Sequence, residues 1–460
     1  MYKVYKGGIS FRDLNIFYRN LFTTLNRYYK NLFTSLKIYT KSNRLIQKDC
    51  LSLSQPKTNG FMEGLFIKQE RLLAQTRTEI VRELMSKVHW NNRLVSIRGS
   101  RGVGKTTLML QYIKLNYPSG TREALYCTLD SIYFSNHSIL ELVENFYQMG
   151  GKHLFLDEVH KYPTWSKEIK EVYDMYPSLR VVISGSSLLN ILNADADLSR
   201  RCLPYNLNGL SFREFLRFYK GIEMPVYPLE EILHNASPIC REMNEVCRPV
   251  QMFREYLHEG YYPFFNGVRE DYYMNIENVI NLILEQEMPL LCGIDPAYIR
   301  KLKALLGVLS ATVPYEVDMS KLAAVIGLSR NSLLAYLQSM ERAELLKLLY
   351  SDLYSVKKMQ KPDKIYIQNP NLLYALGGST VEIGTARETF VVNQLSVGHD
   401  VEYGKKNGDF VIDRRYTFEV GGPDKTFKQI ANIPDSYILA DNLEYASGNK
   451  LPLWIVGLTY

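Results

Sequence analysis

Gly99-Ser100-Arg101-Gly102-Val103-Gly104-Lys105-Thr106-Thr107 follows an apolar, strand-like run, Leu94-Val95-Ser96-Ile97-Arg98. It leads directly into an apolar-periodic segment, Leu108-Met109-Leu110-Gln111-Tyr112-Ile113. This is the pattern G-x-x-x-x-G-K-T placed between a strand and a helix. Glycines let a backbone wrap a phosphate chain, while the loop amides and the helix N-terminus supply partial positive charge. In such a loop Lys105 reaches the outer phosphates and the Thr106 hydroxyl holds Mg²⁺. All nine residues, Gly99 to Thr107, are candidate phosphate-binding positions.

Outward from the loop, Lys68 to Val88 reads as an amphipathic helix that leads to the first strand. Downstream, the strand-like runs Ala124–Leu129, His153–Leu156 and Arg180–Ile183 alternate with helical stretches around Ser138–Met149 and Trp165–Met175. Apolar strands alternating with helices predict an α/β fold with a parallel sheet buried on both faces. Ligands of such sheets sit at the carboxyl ends of the strands. Two polar clusters fall there. In Leu154-Phe155-Leu156-Asp157-Glu158 the apolar run carries a carboxylate pair to the strand tip. Asp157 is expected to hold Mg²⁺ through its water shell, and Glu158 to orient and deprotonate an attacking water. The other cluster is Ser184-Gly185-Ser186-Ser187.

Together, Gly99–Thr106, Leu154–Glu158 and Ser184–Ser187 resemble an AAA-superfamily P-loop ATPase. The sequence is similar in particular to prokaryotic proteins that join such an ATPase to a C-terminal domain of unknown function. Val159-His160-Lys161-Tyr162-Pro163 with Trp165, Leu210-Ser211-Phe212-Arg213-Glu214-Phe215-Leu216, and Glu259-Gly260-Tyr261-Tyr262-Pro263 carry that resemblance. It spans about Met62 to Tyr460. It implies ATP as ligand, Mg²⁺ as cofactor, ATP hydrolysis as activity, and a polar sensor at Ser184 or Ser186. It also implies a Gly-Arg pair before the fifth strand, where this chain has Ser199-Arg200-Arg201. Arg201 has two readings. It reaches the γ-phosphate, in cis or from a neighbouring subunit of a homo-oligomer, or it belongs to a solvated basic turn. Cys202–Leu207 is then a fifth strand, and Ser211–Tyr219 a capped helix with Glu214 at its third position.

The ATPase domain is expected over residues 62–222 and a helical connector over 223–296, with helices near Leu229–Asn235, Val250–Glu259 and Tyr273–Glu287. Residues 297–368 look like a winged helix. Leu302, Leu305, Leu306 and Leu309 mark one helix face. Asp318–Ile326 is closed by Gly327, and Ser329 caps a third helix with Leu333, Leu334, Leu337 and Met340. A strand pair, Leu345–Tyr350 and Ile365–Ile367, follows. The third helix either reads DNA or packs against protein. Arg330, Glu341, Arg342 and Glu344 give it little basic character.

Residues 369–460 carry Glu388 on a helix (Ala386–Leu395), Asp409 opening a strand, and Glu419 near the end of Tyr416–Val420. A helix with Gln429 is expected after Pro423. The set resembles the PD-(D/E)xK nuclease fold, in which carboxylates hold Mg²⁺ and a lysine helps activate the nucleophile. Gly421 stands at the lysine position, and Lys425 is near enough in sequence to reach back. The simpler reading is a nuclease-like scaffold without nuclease activity.

The net charge of +7 is unevenly placed. Residues 1–61 hold eleven Lys/Arg against two acidic residues, Asp13 and Asp49, so residues 62–460 are slightly acidic overall. That argues against a general DNA-binding surface in the globular part. The arm's Ile16–Tyr39 stretch reads as basic amphipathic helices suited to an anionic surface or partner, or as a poorly ordered extension. The composition break at Phe61-Met62 raises the expectation that Met62 is the natural start. No run of about 18 apolar residues suggests a membrane span. Six scattered cysteines without a C-x-x-C pair suit a reducing, cytoplasmic setting. Three activities are expected: an Mg²⁺-dependent ATPase whose nucleotide state repositions its C-terminal modules, an ATP-gated DNA-binding protein or nuclease, or a slow nucleotide switch acting on a protein partner.

Overall fold

Five short runs, β1 (Leu94–Arg98), β2 (Ala124–Thr128), β3 (His153–Asp157), β4 (Arg180–Gly185) and β5 (Leu203–Asn206), pair in parallel in the order β2-β3-β4-β1-β5. β1 to β4 are buried almost throughout, as a sheet covered on both faces requires. β5 is largely exposed and carries Pro204, both usual for an edge strand. The computed structural model describes residues 58–188, 198–312, 315–316, 318–352, 361–405 and 407–460. Contacts divide the chain into two compact units, Met1–Gly64 and Leu65–Tyr460. Of the first, residues 58–64 are described, the opening of the helix Thr58–Gln75. The arm helices expected between Ile16 and Tyr39 lie outside the described residues.

The crossover helices are Lys105–Asn116, Ile139–Gln148 and Trp165–Met175. Ser138 caps the second by accepting from the Glu141 amide. The helix expected over Lys68–Val88 is shorter than its pattern suggested: it ends at Gln75, and only Leu84–Lys87 is helical beyond it. Thr76, Thr78, Ile80 and Val81 are poor helix formers. Their segment finds other partners as well. The Gln111 side chain donates to the Arg77 and Ile80 carbonyls, and Lys114 to that of Thr76.

Arg82 sits in this irregular linker and is buried. Its guanidinium donates to both oxygens of Glu214, each at 2.9 Å, and to the carbonyls of Val103, Asn208 and Gly209. Glu214 is the third residue of a capping box with Ser211, as expected. Beyond it the helix widens into a π-turn, Leu216–Lys220.

Helices Leu229–Val246, Pro249–Glu259 and Arg269–Leu282 follow. Then come Ile299–Thr312, Met319–Ile326 and Arg330–Arg342, with an antiparallel sheet of β6 (Tyr315–Glu316), β7 (Leu346–Leu349) and β8 (Lys364–Ile367) in the order β6-β8-β7. Leu302, Leu305, Leu306 and Leu309 are buried on one face. Gly327 closes the second helix in the left-handed region. The last sheet comprises β9 (Val401–Tyr403), β10 (Phe410–Ile412), β11 (Tyr416–Gly421), β12 (Ser436–Ala440) and β13 (Lys450–Pro452). It is antiparallel from β9 to β11 and parallel from β11 to β13. The helix expected after Pro423 is only a 3₁₀ turn, Phe427–Gln429.

The segments expected within 62–460 share one hydrophobic core that runs from Leu73 to Leu458. Phe212, from the segment that carries the five-stranded sheet, meets Phe253 and Tyr256 edge-on, and Phe253 meets Phe390. Asn371 is a buried polar hub. It donates to the Tyr256 and Leu257 carbonyls and accepts from the Tyr261 amide and the Tyr272 hydroxyl.

Removing one partner of a buried ion pair leaves the other charge unpaired, so Glu214→Ala should lower stability by about 3–5 kcal/mol. Arg82→Met combined with Glu214→Leu should recover part of that loss in urea denaturation. Burial alone would raise the Glu214 pKa, but the Arg82 charge and hydrogen bonds outweigh it and hold the carboxyl below its ordinary 4.5. Its contribution is therefore present above that value and lost on acidification, and Glu214→Gln should remove this acid sensitivity.

Candidate active site

The loop after β1 needs its glycines. Gly102 and Gly104 have φ of 87° and 99°, and a Cβ on Gly102 would lie 2.7 Å from Phe264. Lys105 is buried, and its ammonium donates to the Gly99 and Ser100 carbonyls at 2.9 Å each. Two of its three N–H donors thus fix the lysine within the loop, and a third is available in principle to a phosphate oxygen.

The sheet order brings the remaining groups together. β4 lies between β1 and β3, with Ser184 level with Ile97. Ser184 at the β4 end and Asp157 at the β3 end are therefore neighbours, and Ser184 donates to Asp157 Oδ1. Asp157 Oδ2 accepts from the Thr106 hydroxyl at 2.6 Å and from the Tyr126 hydroxyl at 2.7 Å. Burial and the Asp157 charge push the Tyr126 phenol far above its ordinary value, so it acts as a donor here.

Glu158 follows with φ 54°, a left-handed conformation uncommon for glutamate. This turn aims its carboxylate 3.9 Å from Arg101 and 3.5 Å from His160. Burial raises the Glu158 pKa, with Lys105 opposing and Asp157 adding to the rise. Burial lowers His160 to about 4, so the imidazole beside Glu158 is neutral at physiological pH. Ser186 donates to Glu287 Oε2 at 2.7 Å, and Arg101 donates to Glu287 Oε1 at 3.3 Å.

Arg201 is elsewhere. It precedes β5 and engages Asp174 at 3.2 Å, stacked near the Tyr173 ring. Those partners end the helix that leads into β4, so Arg201 lies at the strands' starting edge. A strand of four residues, roughly 13 Å, separates it from the loop of its own chain. The expected contribution in cis is not what the structure places.

Beside the loop lies a cavity of about 780 Å³, lined by Ile80, Gly102–Gly104, Leu108, Phe218, Pro263 and Phe264 among others. Pro263 and Phe264 continue the Glu259–Pro263 motif. Three side chains that meet the loop and strand tips lie outside the sequence-derived set. Tyr126 offered no signal beyond its place on β2. Glu287 comes from a π-turn, Ile283–Glu287. Glu344 comes from the turn after the helix Arg330–Arg342, and its Oε2 accepts from the Ser100 amide at 3.2 Å.

The second constellation is partly assembled. Glu388 Oε2 accepts from the Tyr366 hydroxyl at 2.6 Å, with the Lys364 ammonium 3.4 Å away. Asp409 Oδ2 accepts from the Val420 amide. A Cβ on Gly421 would lie 2.8 Å from Lys425 Cδ, and the Lys425 ammonium is 2.5 Å from Glu419 Oε1. Lys425 thus reaches back across the glycine. Among the described residues no group of three or more His, Cys, Asp or Glu is arranged to hold a metal ion.

Gly102→Ala combines a left-handed backbone with a clash against Phe264. It should destabilise the protein by about 1–3 kcal/mol, read as a lowered Tm.

An uncharacterized protein of Methanocaldococcus jannaschii is 24% identical over 387 residues, which is 76% of this chain and 80% of the relative. Among solved structures, AMPPCP-bound DnaA from Aquifex aeolicus overlaps 56% of this chain and 85% of its own, at 15% identity and a TM-score of 0.23. PCH-2 of C. elegans overlaps 61% and 68%, at 13% identity and a TM-score of 0.21. Residues 91–216, which hold the five-stranded sheet and its loop, match the family model described as AAA domain.

Proposed function

We propose that this protein binds Mg²⁺ATP at Gly99–Thr107 and hydrolyses it. The observation that carries this reading is Asp157: one carboxylate at a strand tip, 2.6 Å from the loop hydroxyl of Thr106 and next in sequence to Glu158. A single carboxylate, a hydroxyl and substrate phosphates form the hard-oxygen donor set that Mg²⁺ takes. Thr106 and Asp157 would hold the ion, which when bound would neutralise phosphate charge. Lys105 contacts the outer phosphates and the loop amides cradle the chain. The cavity beside Gly102–Gly104, with Ile80, Phe218 and Phe264 as apolar walls and Arg77, Glu79 and Gln111 as polar ones, accepts the base, its volume being typical of small-ligand pockets. Ser184 orients Asp157, and Ser186 is tied to Glu287.

Glu158 takes the proton from the attacking water. Its elevated pKa brings the base closer to working pH, which favours proton transfer. Turnover should therefore fall on acidification at a higher pH than an ordinary carboxylate of pKa 4.5 would give. Arg201 contributes only if supplied by a second copy in a homo-oligomer. Hydrolysis would reposition the C-terminal modules or act as a slow switch toward a protein partner.

Glu158→Gln should retain Mg²⁺ATP binding and lose turnover by about 10²–10⁴-fold, because a base is removed and a phosphate contact is not. Lys105→Ala should lose both. Unchanged turnover in Glu158→Gln, measured as phosphate release, rejects the assignment of the base.

A second reading, DNA cleavage through Glu388, Asp409 and Glu419, has one observation in its favour: Lys425 fills the space over Gly421 and meets Glu419. Gly421 at the position of the expected lysine weighs against it. No cleavage of plasmid DNA with Mg²⁺ or Mn²⁺ is the expected result. Cleavage that disappears in Lys425→Ala would establish this reading instead.

A further inference from the structure

The residues flanking the start of the phosphate loop come from far along the chain. Glu287 lies in the helical segment and pairs with Arg101. Glu344 lies beyond it, and its carboxylate accepts from the Ser100 main-chain amide. A P-loop amide is a donor suited to a phosphate oxygen, and here a carboxylate oxygen takes it. Lys105 sits within electrostatic reach of Glu344, as it does of Glu158. Lys105 is the group that meets the outer phosphates, so Glu344 faces the outer end of the nucleotide site.

The turn that carries Glu344 is tied at both ends. The φ of Glu344 is 57°, in the left-handed region that glutamate rarely adopts. Its own amide donates to the Glu341 carbonyl, and the next amide, Leu345, donates to that of Met340. The turn thus ties the end of the helix Arg330–Arg342 to the start of β7. Tyr261 and Tyr262 lie within electrostatic reach of Glu344. The Tyr262 hydroxyl accepts from Asn369, and its phenol also hydrogen-bonds the Ser100 side chain. A carboxylate seated there is repelled by an arriving terminal phosphate, and moving it moves the turn.

We propose that the Glu344 carboxylate is an internal plug on the Ser100 amide of the loop, and that the terminal phosphate of a nucleoside triphosphate expels it, loosening the helix–β7 turn. The proposal rests on the nucleotide-binding reading above. It supplies what that reading lacked, a direct contact between the loop and the module carrying residues 330–349. Burial raises the Glu344 pKa, while Lys347 and Lys105 oppose the rise.

The test compares binding of a non-hydrolysable ATP analogue and of ADP, both with Mg²⁺, to the full chain and to two variants. Glu344→Gln keeps the length and removes the charge. Glu344→Asn is too short to reach the amide and tolerates the left-handed backbone. Both should bind the analogue at least about fivefold tighter than wild type, within the usual range of coupling between sites, while ADP affinity changes less than about twofold. In wild type, the analogue but not ADP should speed hydrogen exchange at the Glu344 and Leu345 amides. Binding by the variants alone, with wild type silent, would also support the plug. Equal analogue affinity in all three proteins, or equal gains for analogue and ADP, overturns it while leaving nucleotide binding intact. No saturable binding by any of the three removes the nucleotide reading itself, and the plug with it.

Discussion

A guanidinium buried between four segments organises the nucleotide-facing half of this molecule. Arg82 holds the linker before β1, the Val103 carbonyl of the phosphate loop, the Asn208–Gly209 turn and the Glu214 capping box at once. A buried charge tolerates this position only when its hydrogen bonds are met, and Arg82 meets four acceptor groups with its planar fork. Around it, Glu83 pairs with Arg213, which also donates to the main-chain oxygen of Tyr460. The phosphate loop therefore owes its shape to its glycines on one side and to this charge network on the other.

The chemistry follows from sheet order. Because β4 runs between β1 and β3, the polar end of β4 falls between the loop and the carboxylate pair. Asp157 is thereby surrounded by three hydroxyls, from Thr106, Tyr126 and Ser184. Its neighbour Glu158 is part-buried and lacks such a set of donors, and burial moves its pKa up. Two adjacent carboxylates thus sit in different hydrogen-bonding environments.

How much of this was legible depended on whether the signal was local. The loop and the Asp157-Glu158 pair were legible because strand, turn and chemistry are contiguous. The Ser211–Glu214 capping box was legible for the same reason. The helix through Lys68–Val88 was misread because an apolar period cannot show that Gln111 and Lys114 draw off the carbonyls of residues 76–80. Arg201 sat at a suggestive place in sequence, yet its position before β5 puts it at the wrong edge of the sheet for its own loop. Glu287 and Glu344 carry no local mark, since one ends a π-turn and the other sits in a tight turn. Only tertiary packing brings them to Arg101 and Ser100. Conversely, Glu259–Pro263 stood out as a motif, and the structure shows its neighbourhood: Tyr262 and Phe264 against the loop, Tyr261 against Gly209.

The shared core has a consequence for how the protein is made. Phe212 is covered by Phe253 and Tyr256, and Gly457 comes so close that an added Cβ would lie 2.5 Å from it. The Tyr227 amide donates to the Leu458 carbonyl. A ribosome that had released only residues up to about 222 would present a sheet and loop with an open apolar flank and Arg213 without Tyr460. Contacts that span more than two hundred residues close late, and their loop-closure entropy is met only once the distant segment exists. The loop and its sheet are encoded early in the chain, and their apolar cover is supplied only once residues 253–458 have emerged, so during translation the segment up to about 222 exposes apolar surface that the folded protein buries.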